Sequence, residues 1–151
     1  MNIGIQYMKQ VLFLCSPNYY RSRFAEHFFN WLAPQASLDW RADSMGLDLD
    51  RWSHLRAMFR YVVEALTKRA VPINGHPRNP KRLTIADLGR ADLVIALKET
   101  EHRRMISLQF PRWTDRVEYW HVDDVDCAGP KEASPVLENQ VRGLIDRLKA
   151  A

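Results

Sequence analysis

The stretch from Val11 to Ser22 constrains this chain more than any other. Val11-Leu12-Phe13-Leu14-Cys15 is a short, unbroken apolar run. It lacks the polar alternation of a strand with one wet face, so it predicts a strand buried on both faces, as in parallel sheets. Ser16-Pro17-Asn18 is turn chemistry. From Ser22 on, Phe24, Ala25, Phe28, Phe29 and Leu32 recur at helical spacing, with Ser22 placed to cap the helix and Pro34 to close it. Strand, tight loop and helix follow one another without a gap, so whatever the loop carries is presented at a helix N-terminus.

The alternation continues. Leu38 to Ala42 predicts a second strand ending near Asp43-Ser44-Met45-Gly46. Leu55 to Arg69 predicts an amphipathic helix, and Pro72 to Pro80 a loop. Thr84 to Leu88 reads as a helical turn capped by Thr84, and Ala91 to Leu97 as another buried strand. A helix over Glu99 to Phe110, a strand over Val117 to Val122, a polar loop from Asp123 to Ser134 and a helix from Pro135 to Leu148 complete the pattern. This predicts a three-layer α/β fold, a four-stranded parallel sheet with helices on both faces, as one domain spanning residues 1–151. Ligands bind such sheets beyond the carboxyl ends of the strands. Cys15 and the loop after Val122 both lie at such ends, and their convergence depends on a strand order that the pattern leaves open.

Cys15-Ser16-Pro17-Asn18-Tyr19-Tyr20-Arg21-Ser22 places a thiol and a guanidinium six positions apart around that loop. N–H groups of the loop and first helical turn can converge on one tetrahedral oxyanion. Arg21 offers a planar fork for two phosphate oxygens. A thiolate at the base of the cradle can attack phosphorus in line and form a thiophosphate intermediate, and the Ser22 hydroxyl can hydrogen-bond the sulfur. The spacing alone also fits a buried Cys ending a core strand and an Arg on the next helix. Ser16, Asn18, Tyr19, Tyr20 and Ser22 are the residues expected around a bound phosphate, with Tyr19 and Tyr20 either lining the mouth or filling the loop.

Breaking a P–O bond needs a proton donor, and one carboxyl can serve as acid and then as base. Asp123, Asp124 and Asp126 follow the last strand, where neighbouring carboxylates raise one another's pKa; a solvated acidic loop is the plainer reading. His121 is expected as a surface or packed residue. Trp31, Trp40 and Trp113 read as packing residues, and Trp52 as a possible border of the pocket.

The net charge of +4 is spread along the chain without a Lys/Arg block. It favours anionic substrates through steering, and no nucleic-acid partner is expected. Two cysteines, Cys15 and Cys127, make no disulfide framework. The first apolar run is too short for a signal-peptide core or a membrane span, so a reducing cytoplasm and no membrane partner are expected. Cys127 is a lone loop Cys, or a redox partner of Cys15 should its loop fold over the site.

Taken together, these residues resemble the low-molecular-weight protein tyrosine phosphatase family, whose fold is shared with thioredoxin-coupled arsenate reductases. The resemblance covers about residues 10 to 149. It is carried by Val11 to Cys15 with Asn18, Arg21, Ser22, Ala25 and Glu26, and by Ala42 to Leu47. Gly75-His76-Pro77-Arg78, Ala91 to Ile95 and Trp120 to Asp124 extend it. It implies a phosphotyrosine phosphatase I-like fold and hydrolysis of aryl phosphate monoesters, most plausibly protein phosphotyrosine, without metal or cofactor. By the same resemblance Cys15 is the nucleophile, Arg21 the phosphate clamp, and Asp124 the general acid ahead of Asp123 and Asp126. Asn18 holds the loop in a left-handed conformation, Ser22 supports the thiolate and Ser44 hydrogen-bonds Asn18. The chain departs from the family at Pro17, which removes an N–H from the loop, at Arg23 in place of Pro, and at Val125 after the expected acid. Tyr19 and Tyr20 stand where the family often carries a second, protective Cys. The competing readings are a non-catalytic phosphate-binding or phosphopeptide-binding module and an arsenate reductase drawing on an external thiol.

Overall fold

A computed structural model describes residues 8–49, 59–73, 78–123 and 130–151. Lys9–Cys15 forms β1, and its alternating side chains serve two different cores. Val11 and Phe13 enter one with Phe24, Phe28 and Phe29; Leu12 and Leu14 enter the other with Leu47, Leu83, Leu88 and Ile106. A strand buried on both faces has no room for polar alternation, hence the unbroken apolar run.

Arg21–Gln35 forms α1, Trp40–Gly46 β2, Phe59–Lys68 α2, Ile85–Arg90 α3 and Leu93–Ala96 β3. Glu99–Gln109 forms α4, Glu118–Tyr119 β4 and Pro130–Ala150 α5, with one 3-10 turn at Pro111–Trp113. The four strands are parallel in the order β2-β1-β3-β4. The chain thus moves from β1 to one side for β2, then crosses to the other side for β3. That reversal lies beside the carboxyl end of β1, where an open α/β sheet leaves a crevice for a ligand. The core holding residues of α1, α2 and α5 covers one face; the core holding residues of α3 and α4 covers the other.

On the first face Phe13 meets Phe29 edge to face at 6.1 Å, and Phe24 stacks on Phe28 at 5.6 Å. Each such ring contributes about 1.5–3 kcal/mol through burial. Thr84 caps α3 as expected, its hydroxyl accepting from Asp87 N while the Asp87 carboxylate accepts from Thr84 N.

Several boundaries differ from the sequence reading. β2 starts at Trp40 rather than Leu38; it ends at Gly46, within the expected stretch, with pairing to β1 holding the register to Cys15↔Gly46. The Asp43 carboxylate is accommodated there by Lys81 Nζ at 2.9 Å. Ser22 is not the cap of α1: the cap is Tyr20, two residues earlier, whose carbonyl accepts from Phe24 N, and the Ser22 hydroxyl is engaged elsewhere. α5 as described, Pro130–Ala150, takes in five residues assigned above to the polar loop. Among the described residues no helix is long and apolar enough to cross a membrane.

Gly46 is where β2 touches the loop after β1. A Cβ there would lie 2.8 Å from Ser16 O and would overlap Leu49 Cδ2. Gly46→Ala is expected to cost about 1–3 kcal/mol by overpacking, read as a lower urea midpoint at an unchanged slope.

Candidate active site

β1 delivers Cys15 to the sheet edge, the chain turns through residues 16–20, and α1 starts at Arg21. The turn is possible because Asn18 adopts φ 58°, a left-handed conformation that Asn tolerates better than most residues. Cys15 is a buried free thiol whose Sγ lies 2.9 Å from Ser22 Oγ. Asn18 Nδ2 donates to Ser22 Oγ at 2.8 Å and to Ser44 Oγ at 2.9 Å. Arg21, 1% exposed, donates from Nη1 to Val122 O at 3.2 Å. That contact joins the carboxyl ends of β1 and β4 across β3, so the convergence left open by the sequence is present.

A second layer supports the loop from beneath. Arg78 Nη1 donates to Asn18 Oδ1 at 3.0 Å, while Nη2 reaches Glu26 Oε1 at 3.0 Å and Ser44 O at 2.8 Å. Lys81 N also donates to Asn18 Oδ1, and Ser44 Oγ donates to Glu26 Oε1 at 2.6 Å. Arg23 Nε donates to Asn18 O at 2.8 Å. Burial first, and then the Arg78 guanidinium, bring the Arg23 pKa down to about 10. The loop is therefore fastened by α1, by β2 and by residues 78–81.

The rim is polar and negative on one side. Glu101, in the first turn of α4, accepts from Ser16 Oγ and lies 3.6 Å from Arg21 Nη2. Behind it, His102 is fully buried, with Nδ1 accepting from Lys98 N at 3.0 Å and Nε2 3.7 Å from Glu101 Oε1. His102, then Arg21 and Ser16, hold the Glu101 carboxyl well below the usual carboxylate range, against the opposing effect of partial burial. Lys98 Nζ meets Asp123 Oδ1 at 2.6 Å, and this bond depresses the Asp123 pKa.

The structure thus brings together Cys15, Ser16, Asn18, Arg21, Ser22 and Ser44. Tyr19 is buried within the loop at 7% exposure. The Tyr20 ring turns away into the core, stacking on Phe24 with its hydroxyl on Ser134 Oγ. His121 is exposed, and Trp31, Trp40 and Trp113 pack against the two cores. Asp124, Asp126, Cys127, Trp52 and the segment Gly75-His76-Pro77 lie outside the described residues. Glu101, Lys98 and the supporting role of Arg78 escaped the sequence reading. A cue existed for the first two, since the start of α4 follows β3 at the same sheet edge; an acidic first turn also satisfies the helix dipole, which masks any other purpose.

A thiol, a buried guanidinium and the orphan N–H groups of a helix start around one loop suit a tetrahedral oxyanion next to a sulfur nucleophile. The comparisons agree with this geometry. The family described as low molecular weight phosphotyrosine protein phosphatase matches residues 10–151. The Protein-arginine-phosphatase of Bacillus subtilis (strain 168) is 31% identical over 151 residues, covering 92% of this chain and 96% of that protein. The crystal structure of a low molecular weight protein tyrosine phosphatase from T. tengcongensis superposes with a TM-score of 0.73 at 26% identity, covering 92% and 99% of the two chains. YfkJ from Bacillus subtilis shares the fold, with a TM-score of 0.77 at 20% identity and coverage of 97% and 98%.

Asn18→Ala places a less tolerant residue at positive φ and removes its side-chain bonds, whereas Asn18→Gly removes only the bonds. We expect the alanine variant to be the less stable of the two, each losing about 1–3 kcal/mol, as measured by thermal unfolding.

Proposed function

The chain belongs to the low molecular weight phosphotyrosine protein phosphatase family and is a cysteine-dependent phosphatase acting on a phosphorylated substrate; from that premise we propose how its residues divide the reaction. The Cys15 thiolate attacks phosphorus in line, forming an S–P bond as the bond to the leaving group breaks. Arg21 grips two phosphoryl oxygens and stabilises the charge that spreads over them in the transition state. N–H groups around Ser16, Asn18 and Tyr19 complete the cradle. Ser22 hydrogen-bonds the sulfur and improves it as a leaving group in the second step, when water hydrolyses the thiophosphate. The observation that carries this reading is the Cys15 Sγ to Ser22 Oγ contact of 2.9 Å in the loop that also holds the buried Arg21.

Asp124 is the general acid and then the base. Its neighbour Asp123 is engaged by Lys98 and held ionised, which suits a structural anion and not a proton donor at neutral pH. The substrate is a phosphorylated protein side chain: the family description favours phosphotyrosine, and the named activity of the relative at 31% identity favours phosphoarginine. A mechanism that needs a reduced thiol fits a reducing cytoplasm. Residues as far apart in the chain as Cys15, Ser44, Arg78, Glu101 and Val122 meet around the one loop, which supports one catalytic domain. Family membership displaces the non-catalytic alternative.

Cys15→Ser is expected to abolish turnover of p-nitrophenyl phosphate while leaving the fold intact by circular dichroism; activity that survives it would sink the mechanism. Asp124→Asn is expected to lower kcat about 10²–10⁴-fold and to remove the basic limb of the pH–rate profile. Asp123→Asn is expected to keep both that limb and kcat to within a few-fold.

A further inference from the structure

Glu101 places a fixed negative charge beside a pocket built for a phosphate dianion. Its carboxylate stands on Ser16, the residue after the nucleophile, and 3.6 Å from the phosphate-gripping guanidinium of Arg21. Such a charge repels the phosphoryl group of any substrate, so its presence calls for something on the substrate that it attracts.

Its position says where that something lies. The Glu101 side chain is 31% exposed, whereas Arg21 is 1% exposed and Ser16 is equally buried. Glu101 is therefore the most solvent-exposed of the three, a position that fits the mouth of the pocket better than its floor. In an in-line displacement the leaving group points away from the attacking sulfur, out through that mouth. The contacts to Ser16, Arg21 and His102 are all made by Oε1. Oε2 accepts no hydrogen bond from the described residues, so one carboxylate oxygen remains for a ligand. His102, buried behind Oε1, keeps the group from swinging away.

A phenol leaving group presents an apolar ring to this oxygen and would strip water from it without replacement. A guanidinium presents N–H donors and positive charge in the planar arrangement that matches a carboxylate. We infer that Glu101 is a specificity-determining residue that binds the guanidinium of an N-phosphorylated arginine side chain, making phosphoarginine the preferred substrate. This rests on the cysteine mechanism proposed above. The Cys15 sulfur forms the S–P bond, and the P–N bond breaks with its electron pair passing to nitrogen. That nitrogen takes the proton of the general acid, so arginine leaves as a guanidinium ion against Glu101. Water then releases inorganic phosphate and restores the thiolate.

The test compares kcat/KM for a phosphoarginine peptide and for p-nitrophenyl phosphate, in the wild type, Glu101→Gln and Glu101→Asp, each checked for an unchanged melting profile. The wild type is expected to favour phosphoarginine. Glu101→Gln is expected to shift the ratio of the two constants about 10- to 100-fold towards the aryl phosphate, the effect of losing a hydrogen bond to a charged group, with a lower KM for the aryl phosphate as the repulsion is relieved. Glu101→Asp is expected to restore part of the ratio. Parallel loss of both activities in Glu101→Gln would make Glu101 a support for Arg21 and overturn the inference, as would an unchanged ratio. A wild type that cleaves the aryl phosphate but not phosphoarginine would overturn the inference alone. A wild type inert towards both substrates would overturn the cysteine mechanism and the inference with it.

Discussion

Asn18 holds the site together. A non-glycine residue at φ 58° carries a conformational cost on the order of 1–3 kcal/mol. Against it stand two donations from Nδ2, two acceptances at Oδ1 and one at the main-chain carbonyl. At about 0.5–1.5 kcal/mol net for each, three of these already offset the strain. The partners come from α1, β2 and residues 78–81, so one strained residue ties together three parts of the chain that meet only in the folded state. Because the loop owes its shape to this framework, its donors are in place before any ligand arrives.

Charge is layered around this residue. Beneath the loop, Arg23, Arg78 and Lys81 face Glu26 and Asp43. At the rim, Arg21 faces Glu101, and Lys98 faces Asp123. Most of these groups are largely withdrawn from solvent, where unpaired charge is costly. The cations beneath the loop reinforce an anion above it, while the rim carboxylate tempers that field on one side. The proposed preference for a cationic leaving group rests on this unevenness, since a uniformly positive cradle carries no feature that would tell one leaving group from another.

The parts of the site that were legible in the sequence are those encoded locally. An apolar run, three turn residues and a helical stripe define β1, the loop and α1, and the spacing of Cys15, Arg21 and Ser22 follows from that unit alone. The Asn18–Ser44 bond was legible only through family resemblance, because it depends on the register of β1 against β2. Glu101 and Lys98 were hidden because their relevance depends on β3 lying between β1 and β4, which residue pattern does not state. Arg78 sits in a segment of loop-like composition, where an arginine carries no signal of its destination. Tyr20 misled in the opposite sense: its place in the loop suggests the mouth, but Phe24 and Ser134 give it a better home in the core.

The contact from Arg21 Nη1 to Val122 O has a bearing on how the protein is made. Translation releases the chain from its N-terminus, so Cys15 leaves the ribosome more than a hundred residues before the carbonyl that holds its companion arginine. Through that interval the thiol is present but one contact that fixes its companion arginine is not. The arginine therefore gains this anchor only when the segment after β4 has folded back beside the start of α1.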